Sequence, residues 1–99
     1  MFVLDELEIL RQEIDEVDDM LVKLFIERMA IAQKMGEYKS GRNMKIYDPA
    51  REKEIIERFV NGVRVDFDTK YIEQFLKNLI SLSRGLQEDM AGRKMGPRQ

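Results

Sequence analysis

The sequence predicts an all-α protein with three helices: a long first helix, a short second helix and a third helix of intermediate length. Apolar residues recur at steps of three and four over residues 7–38, which is the spacing of one face of an α-helix. Two later start signals, Asp48-Pro49 and residues 66–69, each precede another apolar series with the same period. The length of 99 residues, with 43% hydrophobic and 36% charged residues, is typical of one small folded domain.

The first helix has a start signal, an end signal and one irregular position. Asp5 is the expected N-cap, and Glu8 three residues later completes the spacing of a capping box. The helix is expected to end near Ser40 and Gly41, since glycine is a favoured terminator. Its apolar stripe consists of Leu7, Leu10, Ile14, Val17, Leu21, Leu24, Ile31, Met35 and Tyr38. Arg28 stands within this stripe, at a position where the period requires an aliphatic side chain.

The predicted length of the first helix indicates a dimer. A helix over residues 5–40 is roughly 50 Å long, whereas a compact chain of this size has a radius of gyration of only about 13 Å. Residues 1–27 carry nine acids and two bases, and residues 28–45 carry five bases and one acid. Antiparallel pairing of two first helices would cover the overhang and place acidic halves near basic halves. The order of charges also complements the helix dipole, which explains part of the pattern but not Arg28.

Two shorter helices are predicted after a polar loop at residues 40–47. Asp48 as N-cap, followed by Pro49 at the first helical position, starts the second helix, which is expected to end near Gly62. Its apolar residues are Ile55, Ile56, Phe59 and Val60. The third helix is predicted to follow residues 66–69. Its stripe contains Ile72, Leu76, Leu79, Ser83, Leu86 and Met90.

One domain is expected, at residues 1–90. The tail at residues 91–99 contains two glycines, one proline and three bases, so we expect it to be frayed or disordered. No internal repeat or linker divides the chain.

The composition argues against several functional classes. A net charge of −2 disfavours general nucleic-acid binding, which normally needs a basic face. The chain has no cysteine and no histidine, so a thiol nucleophile, a disulfide and the commonest general base are missing. No apolar run approaches the ~20 residues that span a bilayer, and the acidic N-terminus is unlike a signal peptide. We therefore expect a cytoplasmic protein without membrane contact.

Several polar residues form a candidate site: Arg11, Arg28, Lys39, Asp48, Arg51, Glu52, Ser83 and Gln87. Taken singly, they have ordinary explanations. Arg11 and Arg51 can be explained as solvated surface charges. Lys39 can be explained as a cation near the C-terminus of the first helix that interacts favourably with the helix dipole. Taken together, cations that converge on an apolar interior favour a compact polyanion. A carboxylate ligand fits better than a nucleotide, because the chain has no glycine-rich phosphate loop.

Spacing on the first helix constrains such a site. Arg28 and Lys39 are about 16 Å apart along the axis, so their two long side chains can hold a small molecule between them. Arg11 is about 42 Å from Lys39 on its own helix. A site that uses both must therefore take Arg11 from the partner subunit.

Motifs at compatible spacings run along most of the chain. They are Leu10-Arg11, Ile14-Asp15 with Asp18, Glu27-Arg28, Gly36 with Lys39, Asp48 with Arg51-Glu52, and Ser83 with Gln87. Through these residues the chain resembles the all-helical class of chorismate mutases from about Leu7 to Gln87. The resemblance implies an intertwined antiparallel homodimer with two active sites, each built from both subunits. It also implies that the chain rearranges chorismate to prephenate in phenylalanine and tyrosine biosynthesis.

The resemblance assigns the carboxylate-binding residues. Arg28 and Arg11 of the partner subunit would hold the two carboxylates of chorismate. Ser83 and Arg51 would help to shape the surroundings of these carboxylates.

The resemblance also assigns the groups that act on the rest of chorismate. Lys39 and Gln87 would donate hydrogen bonds to the ether oxygen, and Glu52, with the backbone near Asp48, would hold the ring hydroxyl. Together with Arg28, the residues Lys39, Gln87 and Glu52 are the expected catalytic set. The rearrangement is unimolecular and transfers no proton, so the resemblance implies no metal and no cofactor. Some relatives carry glutamate in place of Gln87, which must be protonated to donate, whereas glutamine donates at any ordinary pH.

Two other functions remain open. One is an isochorismate pyruvate lyase of the same fold, a group that tends to lack an acid in place of Glu52, so Glu52 favours the mutase. The other is a non-catalytic helical dimer that docks to another shikimate-pathway enzyme. The intact set of cations argues against a catalytically silent chain.

Overall fold

A computed structural model describes residues 3 and 5–95, with the backbone alone for residues 93–95. It contains α1 (Glu6–Ser40), α2 (Pro49–Gly62) and α3 (Lys70–Met95), with 35, 14 and 26 residues. The described residues form no strand. The predicted all-α class and the order of helix lengths are therefore confirmed. Over the same residues, no helix combines the length and the hydrophobicity that a bilayer span requires.

The start of α1 is capped as predicted. The Asp5 carboxylate oxygen Oδ1 accepts a hydrogen bond from the backbone N–H of Glu8 at 2.8 Å. The carboxylate of Glu8 in turn accepts from Nη1 of Arg11 at 2.7 Å. The side chain of Glu8 is thus engaged by an arginine one turn further along the helix.

The end of α1 lies where the sequence predicted, but a different residue terminates it. Gly41 has no positive φ, whereas Asn43 has a φ of 54°. The backbone N–H of Met44 donates to the carbonyl of Lys39 at 2.9 Å, and that of Asn43 donates to the carbonyl of Ser40 at 3.5 Å. These two bonds form a Schellman motif with Asn43 in the left-handed position. Asparagine tolerates this conformation better than most residues.

Both later helices begin at the predicted start signals. Oδ1 of Asp48 accepts from the backbone N–H of Arg51 at 3.1 Å, and Pro49 occupies the first turn of α2. Oδ1 of Asp68 accepts from the backbone N–H of Lys70 at 2.9 Å. Each cap satisfies a donor that the first turn of a helix leaves without a partner inside the helix.

Helix α3 continues beyond the predicted domain boundary. The backbone of residues 91–95 is helical, although a frayed tail is the expectation from the sequence. A single Gly92 costs an interior helix position only about 1 kcal/mol relative to alanine, so it is not a stop signal. Residues 96–99 of the expected tail lie outside the described residues.

The chain divides into two compact units, Met1–Ile31 and Ala32–Gln99. The second unit contains the last nine residues of α1 together with α2 and α3, and α2 packs against α3 within it. All buried residues of the described part of the chain belong to this unit. They are Ala32, Gly36, Leu76, Ile80, Ser83, Gln87 and Met90.

The apolar stripe of α1 is exposed along its whole length in the single chain. Its members range from Met35, which is 44% exposed, to Leu24, which is 60% exposed. Arg28, the irregular member of the stripe, is half-buried. The periodicity that identified the helix therefore marks a surface, not the interior of one chain.

Candidate functional site

Lys39 and Gln87 meet in the second unit. Nζ of Lys39 donates to Oε1 of Gln87 at 3.2 Å and to the backbone carbonyl of Ile46 at 3.3 Å. Gln87 is 7% exposed and Lys39 is half-buried. The ammonium is thus held by two acceptors, one on α3 and one in the loop after α1. Two residues that are distant in sequence form one group of N–H donors.

Gly36 allows this meeting. A Cβ atom placed on Gly36 would lie 2.9 Å from Cα and 3.1 Å from the carbonyl oxygen of Gln87. Only glycine therefore lets the backbones of α1 and α3 approach this closely. Ala32, one turn earlier, is another small buried residue. Lys39 is three residues after Gly36 on the same face of α1, so its side chain starts beside the close approach.

Ser83 and Gln87 share one face of α3. They are four residues apart, and their exposed fractions are 6% and 7%. Among the described residues, every buried side-chain nitrogen or oxygen has a hydrogen-bond partner. These two polar residues are therefore accommodated members of the core, at the positions where the sequence predicts the site.

The candidates at the start of α2 point in different directions. The carboxylate of Asp48 caps the helix through the backbone N–H of Arg51. The guanidinium of Arg51 is exposed and forms an ion pair with Glu54. The carboxylate of Glu52 is half-buried and lies 3.5 Å from Nε of Arg84 on α3, measured to Oε2. Of these candidates, Glu52 is the one whose side chain reaches α3.

Arg84 is a member of this region that sequence reasoning did not identify. Besides its ion pair with Glu52, its guanidinium carbon lies 4.8 Å from the centroid of the Tyr47 ring. One signal could have found it. Arg84 directly follows Ser83 in the stripe of the third helix, so its side chain starts about 100° round the helix, at the edge of the same face.

Arg11 and Arg28 belong to the first unit. Arg11 has a side chain that is 63% exposed and forms its ion pair with Glu8 at 2.7 Å. Arg28 is half-buried. The candidates of the second unit are Lys39, Asp48, Arg51, Glu52, Ser83 and Gln87.

The chemistry of the second-unit groups suits an anionic ligand. Lys39 supplies a positive charge, and Gln87 supplies an amide whose nitrogen can donate two hydrogen bonds. Within the described part of the chain, no three carboxylates lie close enough to hold a metal ion. Fixed N–H donors in a half-buried setting stabilise negative charge on an oxygen more strongly than water-exposed donors do.

The fold and these residues define an all-helical chain with a candidate anion site between its helices. The chain belongs to the chorismate mutase type II family, whose model matches residues 10–88.

Two solved structures and one curated protein show the same relationship. The chain is similar to chorismate mutase (form II) from Thermus thermophilus, with a TM-score of 0.81 and 26% identity over 85% of this chain and 96% of that chain. It is also similar to chorismate mutase from Helicobacter pylori in complex with prephenate, with a TM-score of 0.79 and 32% identity over 88% of this chain and 94% of that chain. The bifunctional chorismate mutase/prephenate dehydratase of Aquifex aeolicus is 31% identical over 102 residues, which cover 96% of this chain but only 27% of that protein.

Proposed function

We propose that this chain is an isomerase that rearranges chorismate to prephenate. The observation that carries the proposal is the contact of 3.2 Å between Nζ of Lys39 and Oε1 of Gln87, at the buried face of α3. Membership of the chorismate mutase type II family supports it. So does the likeness to the Helicobacter pylori enzyme, which is in complex with prephenate, the product of the proposed reaction.

The proposed rearrangement needs stabilisation of charge and no proton transfer. In this [3,3] shift the ether C–O bond breaks while a C–C bond forms, and negative charge builds on the ether oxygen. The ammonium of Lys39 has three N–H donors. Gln87 Oε1 and the Ile46 carbonyl accept two of them, so we assign the third to the ether oxygen. Because the amide oxygen of Gln87 accepts from Lys39, we assign the amide nitrogen as the second donor to the ether oxygen.

The contribution of Lys39 to the rate can be estimated from comparable sites in other enzymes. Removal of one fixed donor to a developing oxyanion costs about 10²–10³ in rate. Lys39 carries a full charge, and its side chain is half-buried. Removal of Lys39 should therefore lower the rate by a factor at the upper end of this range or above it.

The remaining candidates would bind and orient chorismate. We assign the two substrate carboxylates to Arg28 and to Arg11 of the partner subunit, with Ser83 at the buried face of α3. Arg51 forms an ion pair with Glu54, so its part in binding requires a change of partner.

Glu52 and the start of α2 would hold the ring hydroxyl of chorismate. The carboxylate of Glu52 is half-buried, and the cap formed by Asp48 fixes the first turn of α2 from which Glu52 projects. A hydrogen bond to the hydroxyl would keep the extended substrate in its folded reactive conformer, which supplies the orientational part of the acceleration.

We further propose that two chains form an antiparallel homodimer. The apolar side chains of α1 support this assembly, because a single chain leaves them in contact with water. Leu7, for example, is 54% exposed and Ile31 is 58% exposed. The acidic first half and basic second half of α1 give an antiparallel pair complementary charges. Sedimentation velocity measures the mass in solution directly, and a monomer at micromolar concentration would contradict the assignment.

The test of the reaction is incubation of the purified protein with chorismate, followed by identification of the product by NMR. We expect prephenate to form faster than in buffer. Lys39→Ala should lower the acceleration by about a thousandfold or more, whereas Lys53→Ala should keep it, because Lys53 has a side chain that is 77% exposed on α2. Unconsumed chorismate would contradict the proposal, and release of pyruvate from isochorismate would indicate the lyase instead.

A further inference from the structure

Arg84 links α3 to both sides of the turn that begins α2. Its Nε lies 3.5 Å from Oε2 of Glu52, and its guanidinium carbon lies 4.8 Å from the centroid of the Tyr47 ring. Tyr47 directly precedes the N-cap Asp48, and Glu52 lies in the first turn after it. One side chain of α3 therefore holds the residues before and after the cap.

This ion pair differs from four other ion pairs of the chain. The pairs of Arg11, Arg51, Lys53 and Lys77 join residues three or four positions apart on one helix, and all their side chains are at least 43% exposed. The Arg84 and Glu52 side chains are 31% and 23% exposed and belong to different helices. A less exposed pair is screened less by water and salt, so it orients its partners more firmly than a surface pair does.

The chemistry of the guanidinium suits this role. Its planar face can stack on an aromatic ring while its edge N–H groups donate to a carboxylate, which a lysine ammonium cannot do with the same geometry. In Arg84, the guanidinium carbon lies over the Tyr47 ring while Nε lies within ion-pair distance of Glu52. It also balances the charge of Glu52, which would otherwise repel a dicarboxylate ligand.

We propose that Arg84 is a positioning residue that orients the carboxylate of Glu52 toward the ring hydroxyl of chorismate. This inference rests on the proposed function. Arg84 acts through Glu52 and does not itself bind the substrate. Its loss would leave Glu52 free to rotate and would leave the charge of Glu52 unbalanced beside the substrate.

The test is a double-mutant cycle of Arg84→Met and Glu52→Ala, measured as kcat/KM for chorismate. Methionine keeps most of the aliphatic volume and removes the guanidinium. We expect Arg84→Met to lower kcat/KM by up to about a hundredfold, because small misplacements of orienting groups have effects of that size. In the Glu52→Ala background it should have no further effect, since residues that act through one another are not additive. Arg84→Lys should recover part of the loss.

Two controls complete the design. Arg58→Met removes an arginine whose guanidinium carbon also lies near a ring, 4.6 Å from the centroid of Phe59, but which is about 9 Å further along α2 from Glu52. It should keep the wild-type kcat/KM. A chorismate analogue without the ring hydroxyl should lose less rate in Arg84→Met than chorismate does, because only the unbalanced charge of Glu52, and not its orientation, then affects the reaction. A general structural defect would lower the rate with both compounds by the same factor and would overturn the positioning role.

The outcomes separate the inference from the proposed function. If Arg84→Met lowered kcat/KM by the same factor in the wild-type and in the Glu52→Ala background, the positioning role would be overturned. A wild-type kcat/KM in Arg84→Met would overturn it as well. If thermal unfolding shows that the methionine variant does not fold, Arg84→Lys takes its place in the same cycle, with the same two contradicting results. A wild-type chain that leaves chorismate unchanged would overturn the proposed function and the inference together.

Discussion

Substitution of Gly36 by alanine tests whether close helix packing assembles the candidate site. The added Cβ would lie 2.9 Å from Cα, 3.1 Å from the carbonyl oxygen and 3.3 Å from Cβ of Gln87. Carbon atoms pack without repulsion at about 3.5–4.0 Å, so the two backbones must separate by roughly 0.6 Å or more. Two of the three atoms belong to the backbone of α3 and cannot rotate away as the end of a side chain can.

The expected effect on stability is the difference between two terms. Overpacking of a core costs about 1–3 kcal/mol. Alanine is about 0.5–1 kcal/mol better than glycine inside a helix, which offsets part of that cost. The net expectation is a loss of about 1 kcal/mol, or a decrease in Tm of roughly 4–8 °C for a domain of this size. Thermal unfolding followed by circular dichroism measures this change.

The expected effect on catalysis is larger than the effect on folding. Separation of the helices would lengthen the contact of 3.2 Å between Lys39 and Gln87, although Gly36 itself carries no side chain to reach the substrate. Misplacement of catalytic groups by about 1 Å can cost 10²-fold in rate. We therefore expect kcat for chorismate to fall about tenfold or more, as measured from initial rates of chorismate loss.

Gly85 provides the matched control. It lies inside α3, and a Cβ atom placed there meets no atom within 4 Å. Gly85→Ala should therefore raise the free energy of unfolding by about 0.5–1 kcal/mol and leave kcat unchanged. If Gly36→Ala matched Gly85→Ala in both stability and rate, the reasoning from close packing would be refuted.

Three further predictions address the donor, the cap and the assembly. Gln87→Glu should confine activity to acidic pH, because a carboxylate donates only when protonated; a pH–rate profile that stays flat as in the wild type would contradict the donor role. Asp48→Ala should lower the free energy of unfolding in urea by about 1 kcal/mol, whereas Asp48→Asn keeps a capping oxygen and should not; equal losses would show that the cap is not the cause. Leu24→Glu should shift the species seen by sedimentation velocity to half the wild-type mass, because a buried unpaired charge opposes association; an unchanged mass would exclude this face from the interface.

Short-range signals allowed the helix starts to be predicted from the sequence. Asp5, Asp48 and Asp68 each accept from a backbone N–H two or three residues ahead, so the interaction is complete within one turn. The end of α1 was less predictable. Its terminator is Asn43, not Gly41, because the chain turns back only where the N–H of Met44 reaches the carbonyl of Lys39. Which residue terminates α1 depends on the path of the following loop, and local propensity does not determine that path.

The contact between Lys39 and Gln87 in the candidate site was predictable only in part. Lys39 and Gln87 are 48 residues apart, and no periodicity predicts their contact; the resemblance is what assigns them a shared role, as donors to the same ether oxygen. Arg84 was not predicted, because it is not among the residues that carry the family resemblance. A charged residue at the edge of an apolar stripe is normally solvated, and its partner Glu52 lies on another helix. Long-range ion pairs of this kind leave no regular pattern in one sequence.

The exposed stripe of α1 connects assembly to catalysis. None of the described residues of the first unit is buried, although this part of α1 carries most of the stripe. A helix that buries no face is marginal by propensity alone, so its stability must come from tertiary or quaternary packing. The same segment carries Arg11, which the proposed site takes from the partner subunit. In the proposed dimer, burial of the stripe and completion of each site are therefore one event. A change that opens the interface should remove activity even where Lys39 and Gln87 remain in contact.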